Sequence, residues 1–160
     1  MTSENWDDLA ASVRWARRLA RVLVDTHWIG GDPNIGQIYG FAAWFPSGGV
    51  DAAPRSDGDT REEGGIVADA VLTLRNPSHA AQAIDLDVEG IFDVPAGMLG
   101  SLALMASYAD QRVQHLVIPA GSALSCELAP FEVLVFEGIP RDLDPTAIAA
   151  LRSRRQAVSP

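Results

Sequence analysis

The sequence contains a single cysteine, Cys126, among its 160 residues. One cysteine excludes an internal disulfide and any zinc site built from several cysteines. The chain also lacks a run of 18 or more apolar residues, which excludes a membrane-spanning helix. With 48% apolar and 21% charged residues, the composition is that of a globular protein, and the length suits one domain better than two.

Lysine is absent, so all 12 basic residues are arginine, against 21 acidic residues. The formal net charge of −9 removes any general attraction to nucleic acid or to anionic lipid. Binding to either would need a local basic patch, so neither nucleic acid nor a membrane is expected as a partner. The first eight residues lack the basic start and apolar stretch of a secretory signal, so the chain as written is expected to remain in the cytoplasm.

An amphipathic helix is predicted from Asn5, its candidate N-cap, to about Val24. Its apolar residues recur at spacings of three and four: Trp6, Leu9, Val13, Ala16, Ala20 and Leu23. The next segment, Asp25 to Pro33, contains a Gly-Gly pair and an Asp-Pro pair, which end helices and form irregular loops. We expect a loop and a domain seam there.

Beyond Pro33 the pattern changes to short runs of strand-forming residues between turn residues. The seven candidate strands are Gln37 to Phe45, Ile66 to Arg75, Gln82 to Val88, Ser101 to Tyr108, Val113 to Ile118, Ala123 to Leu128 and Phe131 to Glu137. Apolar and polar residues alternate in Ile84 to Val88 and in Leu124 to Leu128, which is typical of half-buried strands in antiparallel sheets. The pattern predicts a mainly β fold, an antiparallel β-sandwich with an N-terminal amphipathic helix and a short C-terminal helix.

Phe131 to Phe136 is apolar at every position except Glu132, so we predict that this run forms the central strand, with Val135 in the core. Asp85 and Asp87 are expected on a solvated strand face.

Two segments fall outside the strand pattern. Ser47 to Gly65 has almost no apolar residues and is expected to form a long, mobile loop. Thr146 to Arg155 follows the Asp144-Pro145 pair and is predicted to form the C-terminal helix. The predicted organisation is therefore a helix and loop over residues 1–33, a β-sandwich domain over 34–140, and a short helix and tail over 141–160.

One group of residues near the predicted seam has the composition of a catalytic or metal site. Asp25, His27 and Asp32 place a histidine between two carboxylates, which is a pattern for proton transfer or metal binding. No third strong ligand lies nearby, and loop aspartates commonly form turns and caps, so the structural interpretation is favoured. Neither a metal nor a cofactor is expected, and the sequence has no phosphate-binding glycine fingerprint and no nucleophile elbow.

Aromatic residues are the second candidate feature. Trp28, Tyr39, Trp44 and Trp15 can stack on the C–H faces of sugar rings or fill the core, and core packing is the more frequent use. Cys126 alternates with Leu124 and Leu128, which predicts a small buried side chain and not a nucleophile.

Four stretches resemble the C-terminal end of bacterial glycoside hydrolases related to endo-α-N-acetylgalactosaminidase, a group often labelled enterotoxin-like. They are Asp25-Thr26-His27-Trp28-Ile29-Gly30-Gly31-Asp32-Pro33, Ile38-Tyr39-Gly40-Phe41-Ala42-Ala43-Trp44, Leu72-Thr73-Leu74-Arg75-Asn76-Pro77-Ser78 and Leu128-Ala129-Pro130-Phe131-Glu132-Val133-Leu134-Val135-Phe136-Glu137. The resemblance implies that Asn5 to Val24 is the last helix of a catalytic barrel and that Gln37 to Pro140 is the β-sandwich that follows it. It also implies that the catalytic carboxylates belong to the barrel, so no catalytic residue is assigned to this sequence.

The resulting hypothesis is a non-catalytic C-terminal module whose partner is a catalytic barrel domain or a separately encoded barrel chain. The alternatives are a carbohydrate-binding module that uses exposed aromatics, and a small hydrolase centred on His27. Solvent exposure distinguishes them. Buried Trp28, Tyr39 and Trp44 favour the structural module, two or more exposed and coplanar rings favour sugar binding, and a cleft that joins His27 to both carboxylates favours an enzyme.

Overall fold

The computed structural model describes residues 3–45, 70–94, 96 and 101–138. Its helices and strands are α1 (Ser3–Arg18), β1 (Thr26–Gly30), β2 (Tyr39–Trp44), β3 (Ala70–Arg75), β4 (Gln82–Leu86), α2 (Val88–Phe92), β5 (Leu102–Ala106), β6 (His115–Ile118), β7 (Leu124–Leu128) and β8 (Val133–Gly138). The mainly β fold with an N-terminal helix is confirmed. The predicted loop Ser47 to Gly65 and the predicted helix Thr146 to Arg155 lie outside the described residues.

The strands form two antiparallel sheets. Six strands form one sheet in the order β1-β2-β3-β8-β5-β6, and β4 pairs with β7 in a small second sheet. Each of the seven predicted runs contains a strand, and β8 lies in the interior of the large sheet between β3 and β5, as predicted.

The main core fills the space between the inner face of the large sheet and the small sheet. Its members come from the large sheet, the small sheet and α2, and include Leu72, Leu74, Leu104, Leu134, Phe136, Leu86, Leu128, Cys126, Ile91 and Phe92. Burial of this apolar surface is the main source of stability for such a fold.

Helix α2 corrects the predicted end of the fourth strand. The strand ends at Leu86, and the side chain of Asp87 accepts a hydrogen bond from the backbone N–H of Gly90 at 2.6 Å. Asp87 is therefore the N-cap of α2 and does not lie on a strand face, because a cap needs its carboxylate turned toward the first helical turn.

The prediction that Val135 lies in the core was wrong. Leu134 and Phe136 are fully buried on the inner face, while Val135 alternates onto the outer face and is partly exposed. Side chains of a strand point alternately to its two faces, so only every second residue of this apolar run can enter the core.

The predicted loop at Asp25 to Pro33 was also wrong in part, because Thr26–Gly30 forms the edge strand β1. Residue pairs run from Thr26 opposite Ala43 to Gly30 opposite Tyr39. The Gly-Gly and Asp-Pro pairs mark the turn that follows the strand, where the φ of Gly30 is +83°. The predicted first segment thus contributes a strand to the large sheet, and its boundary at residue 33 stays a prediction.

Helix α1 ends at Arg18, six residues before the predicted end, and contacts the outer face of the large sheet through its last turn. A second core cluster forms where the chain leaves the helix, from Leu19, Val22, Ala43 and Val71, with Trp15, Leu23 and Phe45 packed around it. The outer face of the large sheet is therefore covered in part by the end of α1 and the segment that follows it.

Asn76 fixes the point at which the chain passes between the two sheets. Its side chain is fully buried, and its amide nitrogen donates to the carbonyl oxygens of Ala80 at 2.8 Å and of Ala129 at 2.9 Å. Its amide oxygen accepts from the backbone of Ser78 and from the side chain of Gln82, each at 3.0 Å. Both crossings between the sheets, β3 to β4 and β7 to β8, are joined by this one residue.

Candidate functional site

An aromatic cluster lies on the outer face of the large sheet, beside the part that α1 covers. The rings of Trp28 and Tyr39 are stacked, with centroids 4.9 Å apart and planes 6° from parallel. Phe41 meets Trp28 in a T-shaped contact at 5.3 Å, with an angle of 88° between the planes. Trp28 is 48% exposed and Phe41 44%, whereas Tyr39 is partly exposed. These three rings are called the aromatic cluster below.

Strand register places further side chains on the same outer face. Arg75 lies directly opposite Tyr39, and Thr73 lies directly opposite Phe41. Val133, on β8, lies directly opposite Arg75 and is exposed. The uncovered outer face thus joins three aromatic rings to one guanidinium group and a valine.

An open groove of about 230 Å³ separates this face from α1. Its lining is almost entirely apolar: Trp15, Leu23, Thr26, Phe41, Ala42, Ala43, Val71 and Thr73. The two threonine hydroxyls donate to backbone carbonyls, Thr26 to Leu23 at 2.8 Å and Thr73 to Phe41 at 3.3 Å. The groove is therefore suited to an apolar group.

Helix α1 has two apolar faces rather than the single stripe that its spacing predicted. Trp15 points toward the sheet, where Leu19 follows it in the covered cluster. A second face carries Trp6, Leu9 and Val13, which are called the α1 stripe below. At about 100° per residue, this face lies roughly 130° around the helix axis from the direction of Trp15 and Leu19. All three are exposed, with Trp6 at 57%.

A buried carboxylate fixes α1 to the sheet. Glu137 on β8 is 3% exposed and receives two hydrogen bonds from the guanidinium of Arg18, at 2.7 and 2.8 Å. The indole N–H of Trp15 and the hydroxyl of Ser107 also donate to it, at 3.2 and 3.0 Å. Sequence analysis missed Glu137, and its position at the end of an apolar strand is the one signal that points to it.

The structure does not assemble the candidate site around His27. The His27 ring turns to the inner side and its Nε2–H donates to the backbone carbonyl of Ile91. The carboxylate of Asp32 caps the turn at Pro33–Ile35 by accepting from the N–H of Asn34 at 2.8 Å, and Asp25 lies exposed in the turn before β1. Within the described ranges, no three His, Cys, Asp or Glu side chains come together as metal ligands.

The remaining sequence candidates have separate positions. Trp44 lies on the inner face and packs against the core, so it does not join Trp28 and Tyr39. Phe41 joins them instead, and its i, i+2 relation to Tyr39 on one strand is the signal that identifies it. Cys126 is buried and free, as predicted, and burial raises the pKa of its thiol.

An exposed ion pair lies at the other end of β8. Arg112 donates two hydrogen bonds to the carboxylate of Glu132, at 2.9 and 2.7 Å. These bonds, with a further one from the N–H of Ala129, lower the pKa of Glu132, and the same contact raises the pKa of Arg112. The pair supports the turn before β8.

Comparison with solved structures finds a likeness to a chain from Bacillus halodurans C-125 that is named as an alpha-N-acetylgalactosaminidase. The identity is 12%, the TM-score is 0.44, and the likeness covers 73% of this chain and 21% of the other. No family model and no curated protein matches. At this identity and score, the likeness assigns neither a family nor an activity to the chain.

Among the described residues, no helix has the length and apolar character required to cross a membrane.

Proposed function

We propose that the chain is a non-catalytic β-sandwich module of an α-N-acetylgalactosaminidase-related glycoside hydrolase, and that it docks against the catalytic barrel through the α1 stripe. The observation that supports the proposal is the exposure of Trp6, Leu9 and Val13 on a helix whose last turn is already held against the sheet by Trp15 and Arg18. A contiguous apolar surface on a soluble domain commonly marks an interaction site.

The attachment of α1 supports a docking role. The two bonds from Arg18 and the bond from Trp15 hold the helix to Glu137, so the stripe is presented in a fixed orientation. A surface that is ordered before binding loses less conformational entropy when its partner arrives. A barrel helix is a suitable partner, because apolar residues at helical spacing pack into the grooves of a second helix.

The chemistry of glycoside hydrolysis agrees with a catalytic barrel that supplies the carboxylates and a module that supplies none. Retaining and inverting enzymes both need two positioned carboxylates at the scissile bond. The resemblance assigns those groups to the barrel, and the described structure uses the Asp32 carboxylate as a cap and Glu137 as an anchor. We therefore expect the chain alone to show no turnover of an aryl α-N-acetylgalactosaminide.

The test is reconstitution with the barrel encoded by the DNA that adjoins this gene. Added chain should raise the thermal midpoint of that barrel, and light scattering should show a complex. The double variant Leu9→Arg, Val13→Glu should abolish both effects, because charged side chains cannot be buried in an apolar contact without partners. Arg75→Gln, which changes an exposed residue away from α1, serves as the matched control and should leave binding unchanged.

Three results would contradict the proposal. They are an adjoining region that encodes no barrel, a complex that forms equally well with the double variant, and turnover by the isolated chain that is lost in His27→Ala.

A further inference from the structure

We propose that the aromatic cluster and Arg75 form a binding surface for a saccharide that carries a carboxylate group. This site uses the uncovered outer face of the large sheet and does not include the α1 stripe. It is therefore independent of docking to a barrel.

The geometry of the rings provides the apolar part of the site. Trp28 and Phe41 leave about half of their surface in solvent, and the stacked Tyr39 holds the indole of Trp28 in place. Aromatic faces are negative and attract the positive C–H groups of a sugar ring. A ring held by a second ring is already ordered, so less side-chain entropy is lost on binding.

Arg75 provides the charged part. It is exposed, lies opposite Tyr39, and forms no ion pair with another described residue. A guanidinium presents donors in a planar fork that matches the two oxygens of a carboxylate. An exposed guanidinium opposite Tyr39 thus favours an acidic saccharide over a neutral one.

The experiment uses a glycan array with uronic-acid, sialic-acid and neutral saccharides, followed by tryptophan-fluorescence titration of the strongest acidic ligand. Trp28→Ala should weaken binding by about tenfold, because it removes the largest ring of the cluster. Arg75→Gln should weaken it by about threefold at low salt, with less effect at high salt. The methyl ester of the same saccharide should bind the original protein about as weakly as the acid binds Arg75→Gln.

Trp6→Ala is the matched control, since it removes an exposed tryptophan of the α1 stripe and should leave saccharide affinity unchanged. Circular dichroism checks that each variant is folded. The proposal is overturned if no acidic saccharide binds, if the ester or a neutral saccharide binds as tightly as the acid, or if Trp28→Ala binds like the original protein. A failure to bind a barrel would not change any of these outcomes, so the two proposals can fail separately.

Discussion

Arg18 and Glu137 lie 119 positions apart in the sequence, and the guanidinium of one donates two hydrogen bonds to the carboxylate of the other. The carboxylate belongs to a strand inside the large sheet, whereas the guanidinium lies at the end of α1. This pair joins the helix to the sandwich across almost the full length of the described chain.

We predict that Arg18→Ala lowers the free energy of unfolding by about 2 kcal/mol, because it removes a cation that donates two hydrogen bonds to a buried carboxylate. Urea denaturation followed by tryptophan fluorescence measures the loss. Arg17→Ala removes a neighbouring exposed arginine and should change the stability by less than about 0.5 kcal/mol. Equal midpoints for the two variants would show that the pair does not hold α1 in place.

Neighbouring positions of β8 should differ sharply in their tolerance of a charge. Leu134→Asp places a carboxylate in the fully buried inner layer, at a cost of several kcal/mol, which approaches the whole stability of a small domain. Val135→Asp places it on the partly exposed outer face and should cost only about 1 kcal/mol. Thermal melting of both variants tests the register of the strand, and a folded Leu134→Asp would contradict it.

Glu132 should make stability depend on pH in the acidic range. Its pKa in the folded protein is lowered from the ordinary 4.5 by the hydrogen bonds from Arg112. The stabilisation is therefore complete above pH 4.5 and is lost as the pH falls through the lowered folded-state pKa, because the unfolded chain takes up the proton first.

The variant Glu132→Gln should lose about 0.5–1 kcal/mol at pH 7, and its stability should fall less steeply than that of the original protein below pH 5. Urea midpoints measured between pH 3 and pH 7 give both quantities. Arg112→Ala should flatten the profile in the same way. Parallel profiles for the original protein and Glu132→Gln would exclude this role.

Local pattern was enough to locate most of the fold. Turn residues at regular spacing marked seven of the strands, and the alternation in Leu124 to Leu128 placed Cys126 in the core correctly. The same rule failed for Val135, because a strand that is apolar on both faces does not show which face is turned toward the core. It failed for β1 because the strand is five residues long and is followed directly by strong turn signals.

The candidate site was less accessible to sequence reasoning. Trp28 and Tyr39 were recognised as aromatics, but their contact depends on the pairing of β1 with β2. The partners of Glu137 come from a helix and a distant strand, so no local spacing could identify them. Helical periodicity found the apolar positions of α1 but could not divide them between a buried and an exposed face, since that division depends on what the helix packs against.

Asn76 and α2 lie at opposite ends of the small sheet. Asn76 bonds to Gln82, which lies opposite Leu128, and α2 begins just beyond Leu86. The His27 ring joins β1 to α2 by donating to the carbonyl of Ile91, and Trp28 is the next residue on that strand. Two neighbouring residues of one edge strand therefore serve opposite sides of the sheet, since His27 bonds to the inner layer and Trp28 exposes its indole on the outer side.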